Sequence, residues 1–389
     1  MRVIATEKRP IKLWLDDIED GALAQARNLA NLPFIHKHIA IMPDAHQGYG
    51  MPIGGVMATT GVIVPNAVGV DIGCGMIAAK TSIINIDTSD VKAIMGKIRD
   101  VVPVGFDHQA DDQYWVGFNE VPENSVIYDQ LASARKQLGT LGGGNHFIEI
   151  QEDQDRWIIV PPWIMVHTGS RNFGYKIAKH YHETAKRMCE RWYSDIPDPE
   201  LSFLPIETRE GKEYFEAMNY ALQFSFANRQ MILSRALECF ESVVGSGGFA
   251  IADTVNVHHN YAAWEHHYGK NVIVHRKGAT LARKGTMGII PGSQGTKSYI
   301  VMGKGNPESF GSCSHGAGRR MGRKQAIREL VFEEEIRKLD EQGIVHSIRT
   351  EKDLDEASGA YKDIGAVMAN QADLVDIIFE LSPLGVIKG

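Results

Sequence analysis

Short apolar runs broken by glycine and polar turns recur along much of the chain. Between residues 41 and 80, runs such as Gly-Gly-Val-Met-Ala and Gly-Val-Ile-Val-Pro are too short for helices and are typical of buried strands joined by tight loops. The same pattern predicts strands over Trp157–His167, interrupted at Pro161-Pro162, and at Asn271–His275 and Ser298–Met302.

Helices are predicted where apolar residues recur three or four positions apart. Phe173–Trp192 and Thr208–Val243 both have this spacing, and together they predict a helical insertion at about residues 173–243. Three further helices are predicted. One lies within residues 1–40 and leads into a short strand, and the others lie near Gly322–Asp340 and near Ile364–Leu381.

These elements predict an α+β fold with a mixed or antiparallel β core. The sequence has no internal repeat and no clear linker, so residues 1–389 are interpreted as one domain. A hydrophobic content of 43% is sufficient to bury a core. Residues 106–125 are polar, contain acids and no Lys or Arg, and are predicted to form a surface loop.

Cysteine use and hydropathy favour a cytoplasmic protein with no membrane anchor. The four cysteines show no paired spacing, which argues against a disulfide framework. The first residues lack the apolar core of a signal peptide, and no run of ~18 apolar residues could span a bilayer.

Basic residues are concentrated in one part of an acidic chain. The net charge is −7, yet Lys270–Leu330 contains twelve Lys or Arg and two Asp or Glu. Such a local block favours a specific anionic ligand, and a solvated charged face is the alternative.

A possible metal site is indicated by acidic, thiol and imidazole side chains at strand ends. Asp71 and Cys74, three residues apart on a glycine turn, can converge on one cation. Candidate histidines lie where apolar strands meet polar or Gly-rich turns: His146, His167, His258 and His259. A structural role is the alternative for each residue taken alone.

Two features of this possible site stay open on residue chemistry alone. Adjacent side chains of an extended segment point to opposite faces, so only one of His258 and His259 can join the cluster. Cysteine and histidine favour zinc, whereas a carboxylate and open coordination positions also allow manganese.

The segment that contains Ser293, Thr296, Lys297 and Ser298 is rich in glycine. Hydroxyl and backbone N–H groups on such a loop suit phosphate oxygens, although the spacing of a Walker A loop is absent. A plain glycine-rich turn is the alternative.

His315 is the candidate nucleophile. It lies among the small residues of Gly-Ser-Cys-Ser-His-Gly-Ala-Gly-Arg, where a bulky substrate can approach its ring. Asp44 is a candidate partner that would hold the ring tautomer. If a helix begins at Gly318, Arg319 and Arg323 share a face and suit phosphate recognition. A histidine that caps a turn is the alternative.

Eight segments, in this order, resemble the RtcB family of RNA ligases from about residue 10 to Lys388-Gly389. They are Met-Pro-Asp-Ala-His, Val-Gly-Val-Asp-Ile-Gly-Cys-Gly, Gly-Asn-His-Phe-Ile-Glu, His-Thr-Gly-Ser-Arg, His-His-Asn-Tyr, Arg-Lys-Gly-Ala, Pro-Gly-Ser-Gln-Gly-Thr-Lys-Ser and Ser-Cys-Ser-His-Gly-Ala-Gly-Arg.

The resemblance implies a ligase that uses GTP and two manganese ions. An RNA 2′,3′-cyclic phosphate is opened to a 3′-phosphate, a histidine–GMP adduct forms, GMP passes to the 3′-phosphate, and a 5′-hydroxyl displaces it. The implied setting is tRNA splicing or RNA repair. Whether an archease-like activator is a further partner is left open.

The resemblance also assigns roles to residues. His315 is implied as the guanylylated nucleophile and Asp44 as its orienting partner. The implied metal ligands are Asp71, Cys74, His146, His167 and His259, with Cys74 shared between the ions. The implied nucleotide contacts are Asn145, Glu149, Asn260, Ser293, Ser298, Gly316, Ala317, Gly318, Arg319, Tyr361 and Lys388. Arg171 and Arg323, with Arg319, are implied to hold phosphates of RNA or of the triphosphate.

Two other function classes compete with this interpretation. A metal-dependent phosphoesterase would use the metal cluster without guanylylation and would not need His315. A non-catalytic RNA-binding or scaffold protein would not need Cys74 or the metal histidines.

Overall fold

The computed structural model describes residues 1–82, 86–153, 161–245 and 251–389. Its strands are β1 (Arg2–Ile4), β2 (Ile11–Leu13), β3 (Ile35–Tyr49), β4 (Met51–Thr59), β5 (Val62–Ile63), β6 (Gly75–Thr81), β7 (Phe147–Asp153), β8 (Trp163–Thr168), β9 (Leu204–Pro205), β10 (Ile251–His258), β11 (Asn260–His267), β12 (Lys270–Lys277), β13 (Ala279–Leu281), β14 (Met287–Ile290), β15 (Ser298–Gly303), β16 (Ser312–Ser314) and β17 (Val375–Lys388).

The helices are α1 (Asp20–Ala30), α2 (Pro65–Val68), α3 (Thr88–Val101), α4 (Ser125–Tyr128), α5 (Leu131–Gln137), α6 (Arg171–Arg191), α7 (Arg209–Val244), α8 (Arg323–Glu329), α9 (Phe332–Glu341) and α10 (Ile364–Ala369). Short 3-10 turns are formed by Val116–Asn119, Pro199–Leu201, Pro307–Ser309, Glu351–Glu356 and Ser358–Ala360.

A seven-stranded antiparallel sheet has the order β10-β6-β8-β7-β17-β15-β14. Strands β6 and β8 are buried on both faces, so their sequences are almost continuously apolar. Ile77 and Ala79 of β6 pack with Ile94 of α3 and Ile232 of α7. The intervening Met76 packs on the other face, as the period of two in a strand requires.

A six-stranded sheet has the order β1-β2-β3-β4-β12-β11, in which the pair β2–β3 is parallel and the other pairs are antiparallel. Helix α1 covers it, with Leu29 packed against Ile39 and Ile41. Two short pairs, β13–β16 and β5–β9, complete the sheets of the described residues. The predicted α+β fold with a mixed and antiparallel β core is therefore confirmed.

The two long helices α6 and α7 occupy the predicted helical region. The Thr208 side chain caps α7 by accepting a hydrogen bond from the N–H of Gly211. The 36 residues of α7 extend roughly 54 Å at 1.5 Å per residue. Phe224 of α7 packs with Phe173 of α6. Both predicted helices are confirmed, and the one-domain interpretation of residues 1–389 stays a prediction.

The predicted helix near Ile364–Leu381 is wrong over its second half. Helix α10 ends at Ala369, and Val375 begins β17, which pairs with β7 on one side and β15 on the other. The β-branched and aromatic residues after Val375 favour a strand, and pairing on both edges overrides the local helical spacing.

Three other predictions need smaller corrections. The helix near Gly322–Asp340 is two helices, α8 and α9, separated at Leu330-Val331. The N-terminal helix α1 is preceded by β1 and β2, which the sequence pattern missed. The strand predicted over Trp157–His167 is found from Trp163 onward, and residues 154–160 lie outside the described part.

The acidic segment 106–125 has no regular element except its 3-10 turn and the first residue of α4, so the predicted loop is confirmed. Trp115 packs on Phe118 within the loop and on Tyr220 and Phe224 of α7, and these contacts hold the loop against that helix. Within the described ranges, no helix is long and apolar enough to cross a bilayer.

Candidate active site

Register in the seven-stranded sheet brings the five predicted metal ligands together. His167 of β8 pairs with Met76 of β6 and with Phe147 of β7, which follows His146 directly. Cys74 immediately precedes β6, and Asp71 lies in the turn before it. His259 follows β10, the next strand along the sheet. All five side chains therefore lie at the same end of neighbouring strands.

Cys74 lies at the junction of two ligand groups. Its Sγ is 3.5 Å from Nε2 of His146 and 3.3 Å from Nε2 of His167. His146 Nε2 is also 3.1 Å from Oδ2 of Asp71, and His167 Nε2 is 3.3 Å from Nε2 of His259. The two groups are thus Asp71–Cys74–His146 and Cys74–His167–His259, each with ligand atoms within 4.8 Å of one another.

The protonation chemistry of these side chains fits a divalent cation. His167 Nδ1 donates to the carbonyl O of Asn145 at 2.8 Å, so the Nε2 lone pair points toward Cys74 and His259. Burial lowers the pKa values of His167 and His259 well below the usual value, which favours neutral, ligating rings. Burial, and then the charge of Asp71, raises the pKa of the Cys74 thiol, so a cation is needed to hold the thiolate.

The structure separates the adjacent histidines. His259 faces His167, whereas His258 Nδ1 accepts a hydrogen bond from Arg229 at 2.9 Å. Arg229 is fully buried and also donates to the carbonyl oxygens of Gly73 and Thr168. His258 therefore belongs to a buried support behind the ligand group and not to the group itself.

His315 lies beside the second ligand group and is held by Asp44 of β3. The His315 and His259 rings are 4.8 Å apart, centre to centre. Asp44 Oδ2 accepts hydrogen bonds from His315 Nδ1 at 2.6 Å and from the His315 backbone N–H at 3.0 Å. Gly318 has φ +74°, and a Cβ there would lie 2.1 Å from the carbonyl O of Asp44. Glycine at this position permits the close approach of the two segments.

A cavity of about 430 Å³ connects His315 with the metal-ligand groups. The predicted nucleotide-binding residues that line it are Asn145, Asn260, Gly316, Ala317, Gly318, Arg319 and Tyr361, and the predicted phosphate-binding residue Arg323 lines it too. Asn260 is fixed in place, because its Oδ1 accepts from the N–H of Gly278 at 2.8 Å and its Nδ2 donates to the carbonyl O of Asp71 at 3.1 Å.

Other predicted nucleotide-binding residues lie behind this surface. Ser298 Oγ accepts hydrogen bonds from the N–H of Gly292 at 3.2 Å and from Gln151 Nε2 at 3.1 Å. Gln151 also donates to Glu149. Ser293 Oγ is 2.9 Å from Oγ1 of Thr296. These contacts join the glycine-rich loop to the alternating polar positions of β7.

Three charged side chains lie together near the cavity: Glu149 and Glu356 are buried, and Lys388 is partly buried. Burial raises the pKa of Glu149 to about 7, and the charge of Lys388 opposes this shift. Burial lowers the pKa of Lys388, whereas the charges of Glu356 and Glu149 act to raise it. This region can therefore present both an anionic and a cationic group to a polar ligand.

The arginines converge through contacts that differ from the predicted helical ones. Helix α8 begins at Arg323, so Arg319 precedes it and the two do not share a helix face. They meet instead on Glu356, which accepts from Arg319 Nη1 at 3.1 Å and from Arg323 Nε at 3.0 Å. Tyr361 donates its hydroxyl to the same carboxylate.

Arg171 lies behind the ligand group. It donates to Thr140 Oγ1 at 3.0 Å and to the carbonyl O of Gly105 at 2.7 Å. Burial lowers its pKa, and the charges of Asp71 and Cys74 oppose this shift. A positive charge in this position stabilises the anionic ligands.

Sequence reasoning missed several side chains that support the site. Glu356 binds both arginines, yet it lies in an ordinary acidic run with no distinguishing spacing. Lys362 donates to the carbonyl O of Ala45 at 2.5 Å, and its own N–H binds the carbonyl O of Gly318 at 2.9 Å. It thereby ties the Asp44 segment to the His315 loop, a contact that only the folded chain reveals.

Comparison with known proteins defines the class as RNA-joining enzymes. The family model described as "tRNA-splicing ligase RtcB" matches residues 25–125 and 116–389. The RNA-splicing ligase RtcB of Escherichia coli K12 is 36% identical over 420 aligned positions, which cover 100% of this chain and 99% of the relative.

Archaeal relatives give the same result. The tRNA-splicing ligases RtcB of Nanoarchaeum equitans and Thermococcus kodakarensis are 33% and 34% identical, and the alignments cover 100% and 95% of this chain and 95% and 92% of the relatives. The chain belongs to the RtcB family. The resemblance found in the sequence is therefore confirmed at the level of the family and its RNA ligase class.

Proposed function

We propose that this protein is a GTP- and manganese-dependent RNA ligase that joins 2′,3′-cyclic phosphate or 3′-phosphate ends to 5′-hydroxyl ends. The observation that carries the proposal is the pair His315–Asp44 beside the two ligand groups. A histidine whose Nδ1 is bound to a buried carboxylate, on the wall of a cavity with clustered metal ligands, is suited to nucleotide transfer.

In this proposal two cations are held, one by Asp71, Cys74 and His146 and the other by Cys74, His167 and His259. Bound there, they would neutralise phosphate charge and orient the reacting groups. The donor set alone also suits zinc, and manganese is proposed from the family resemblance.

His315 and Asp44 would carry out the nucleotide transfer. Asp44 accepts the Nδ1–H of His315, so the Nε2 lone pair is free. Nε2 attacks the α-phosphorus of GTP, a phosphorus–nitrogen bond forms, and the bond to pyrophosphate breaks. The RNA 3′-phosphate then takes GMP, which breaks that bond and restores the neutral ring. Finally, the 5′-hydroxyl oxygen of the second RNA loses its proton and displaces GMP to give a 3′,5′-phosphodiester.

The remaining side chains would bind the substrates. Around the guanylate we place Asn145, Glu149, Asn260, Ser293, Ser298, Tyr361 and Lys388, with Gly316, Ala317 and Gly318 leaving space beside the nucleophile. Arg319 and Arg323 lie where forked guanidinium groups can bind phosphates. Arg171 would act from behind the metal ligands.

The physiological setting that we propose is tRNA splicing or RNA repair in the cytoplasm. All four cysteines lie in the described residues and are unpaired and buried, as suits a reducing compartment. An archease-like activator is a candidate partner. RNA-joining assays with and without the activator would test this.

Labelling tests the proposal directly. The protein is incubated with α-³²P-GTP and manganese, denatured, and examined for covalent label. We expect label on wild type and none on His315→Ala. His266→Ala is the matched control, because His266 is exposed and its Nδ1 is hydrogen-bonded to the side chain of Asn271. A phosphoesterase would remove RNA end phosphates without becoming labelled, and a scaffold protein would do neither.

A further inference from the structure

A second groove, of about 600 Å³, adjoins the active-site cavity. Both are lined by His46, Arg319 and Arg323, so the groove opens directly onto the surroundings of His315. Its remaining wall includes the end of β3, with Tyr49, and the segment before α8, with Arg320. A polymer whose end reacts at His315 could therefore leave the cavity along this groove.

The groove carries positive charge. Arg320 and Arg323 are exposed side chains on its wall, and Arg319 lies partly buried at its inner end. Arg319 and Arg323 share the carboxylate of Glu356, so Arg320 is the arginine of this wall without an ion pair among the described residues. Among the described residues that line it, Glu19 is the acidic one, and its carboxylate accepts a hydrogen bond from the N–H of Gln47. This charge balance suits a phosphate backbone.

Tyr49 adds an exposed aromatic ring to this basic surface. Its side chain is 74% exposed and lines the groove that adjoins the active-site cavity. It ends β3 immediately before Gly50, whose φ of +68° makes the tight turn into β4. An exposed ring at a rigid hairpin tip can stack on a base at little cost in conformational entropy.

A buried lysine holds this hairpin tip in place. Lys277 Nζ donates to the carbonyl O of Tyr49 at 2.7 Å and to the carbonyl O of Asn66 at 3.0 Å. Lys277 is only 4% exposed, and burial lowers its pKa to about 7. The backbone beneath the exposed ring is therefore anchored to the interior.

We infer that Tyr49 is a stacking platform for a base of single-stranded RNA next to the ends being joined, and that Arg320 binds the adjoining backbone phosphate. This inference rests on the proposed function, because it needs RNA ends at His315. Bases and backbone phosphates are the same on both RNAs, so the experiment must distinguish the RNA with the 3′-phosphate from the RNA with the 5′-hydroxyl.

Steady-state joining of two short RNAs tests the platform. We expect Tyr49→Ala to raise the KM of one RNA about 5- to 150-fold, the range of a lost base–aromatic stack, and Tyr49→Trp to restore it. GTP labelling of His315, which involves no RNA, should proceed at the wild-type rate. Tyr193→Ala is the matched control, since Tyr193 is 94% exposed and lies beyond the end of α6.

An abasic nucleotide, moved one position at a time along each RNA, identifies the stacked base. At that position the missing base should raise the KM for wild type and cause no further rise for Tyr49→Ala. The strand on which this occurs is the one in the groove. Arg320→Gln should lessen the salt dependence of the same KM.

Three results would overturn the inference. One is a KM for Tyr49→Ala equal to that of Tyr193→Ala while wild type is labelled by GTP and joins RNA. Another is that, at every position, the abasic site raises the KM of Tyr49→Ala by the same factor as the KM of wild type, which would show that Tyr49 stacks on none of these bases. A wild-type protein that takes no label from GTP overturns the proposed function first, and the platform with it.

Discussion

Asp44 and His315, 271 residues apart in sequence, form a two-point contact through a single carboxylate oxygen. Oδ2 of Asp44 accepts from both the ring Nδ1 and the backbone N–H of His315, at 2.6 and 3.0 Å. The carboxylate is fully buried. It therefore fixes the backbone, the ring orientation and the tautomer of the candidate nucleophile together.

Replacing this carboxylate by an amide should disable the nucleophile. In Asp44→Asn, the amide nitrogen can donate to Nδ1 and drive the ring hydrogen to Nε2, the atom that must attack. We expect labelling by α-³²P-GTP to slow by up to about 10⁴-fold, the loss seen when a catalytic histidine is held in the wrong tautomer. Asp376→Asn, on the surface, is the control. Labelling within a few-fold of wild type would show that the tautomer is not set by Asp44.

The shared thiol of Cys74 predicts a particular pattern of metal stoichiometry. Since each of the two groups has at least one histidine of its own, His146→Ala and His259→Ala should each lose one of the two Mn²⁺ ions that we propose. Cys74→Ala should lose both. Equilibrium dialysis with elemental analysis measures the stoichiometry. One ion retained in Cys74→Ala at wild-type affinity would rule out a bridging role.

His258 provides the matched control for His259. Because its ring accepts a hydrogen bond from buried Arg229, His258→Ala should leave Mn²⁺ stoichiometry unchanged and lower the free energy of unfolding by about 1–3 kcal/mol, the cost of leaving a buried donor without its partner. Metal analysis and chemical denaturation separate the two effects. If His258→Ala is fully folded and still loses Mn²⁺, the assignment of His258 to the support behind the ligand group is wrong.

Glu149 should make stability depend on pH near neutrality. Its folded pKa, about 7, lies above the ordinary 4.5, so the folded protein holds this proton more tightly than the unfolded chain. Stability is therefore expected to fall as pH rises from about 4.5 to about 7, by up to roughly 3 kcal/mol. Denaturation of Glu149→Gln should show a flatter profile in this window. Exposed Glu333→Gln is the control, and an unchanged slope in Glu149→Gln would contradict the prediction.

The sequence predicted those parts of the fold whose local pattern agrees with their surroundings. Helices α6 and α7 have apolar stripes that pack against each other, so spacing alone located them. Strand β17 shows the opposite case. Its residues follow a genuine helix, α10, with no proline or glycine between, and only pairing with β7 and β15 determines that they are extended.

The candidate site was predictable where motif and strand end coincide. Asp71, Cys74, His146 and His167 were marked by glycine turns and strand ends, and they converge in the structure. The choice of His259 over its neighbour could not come from spacing, because it depends on Arg229, a residue of a distant helix.

The supporting contacts lay beyond sequence reasoning altogether. Glu356 and Lys362 make tertiary contacts with the arginines and with the Asp44 segment, and neither lies in a distinctive pattern. Such partners act through long-range geometry, which local periodicity does not encode.

The position of β17 has a consequence for the newly made chain. This strand comes after both of its sheet neighbours in the sequence, yet it lies between β7 and β15 in the interior of the seven-stranded sheet. While the ribosome still holds residues 375–388, both neighbouring strands have an open edge that invites pairing with other chains. The nascent protein therefore passes through an interval in which this sheet is incomplete, and a chaperone that shields these edges would have its greatest effect during that interval.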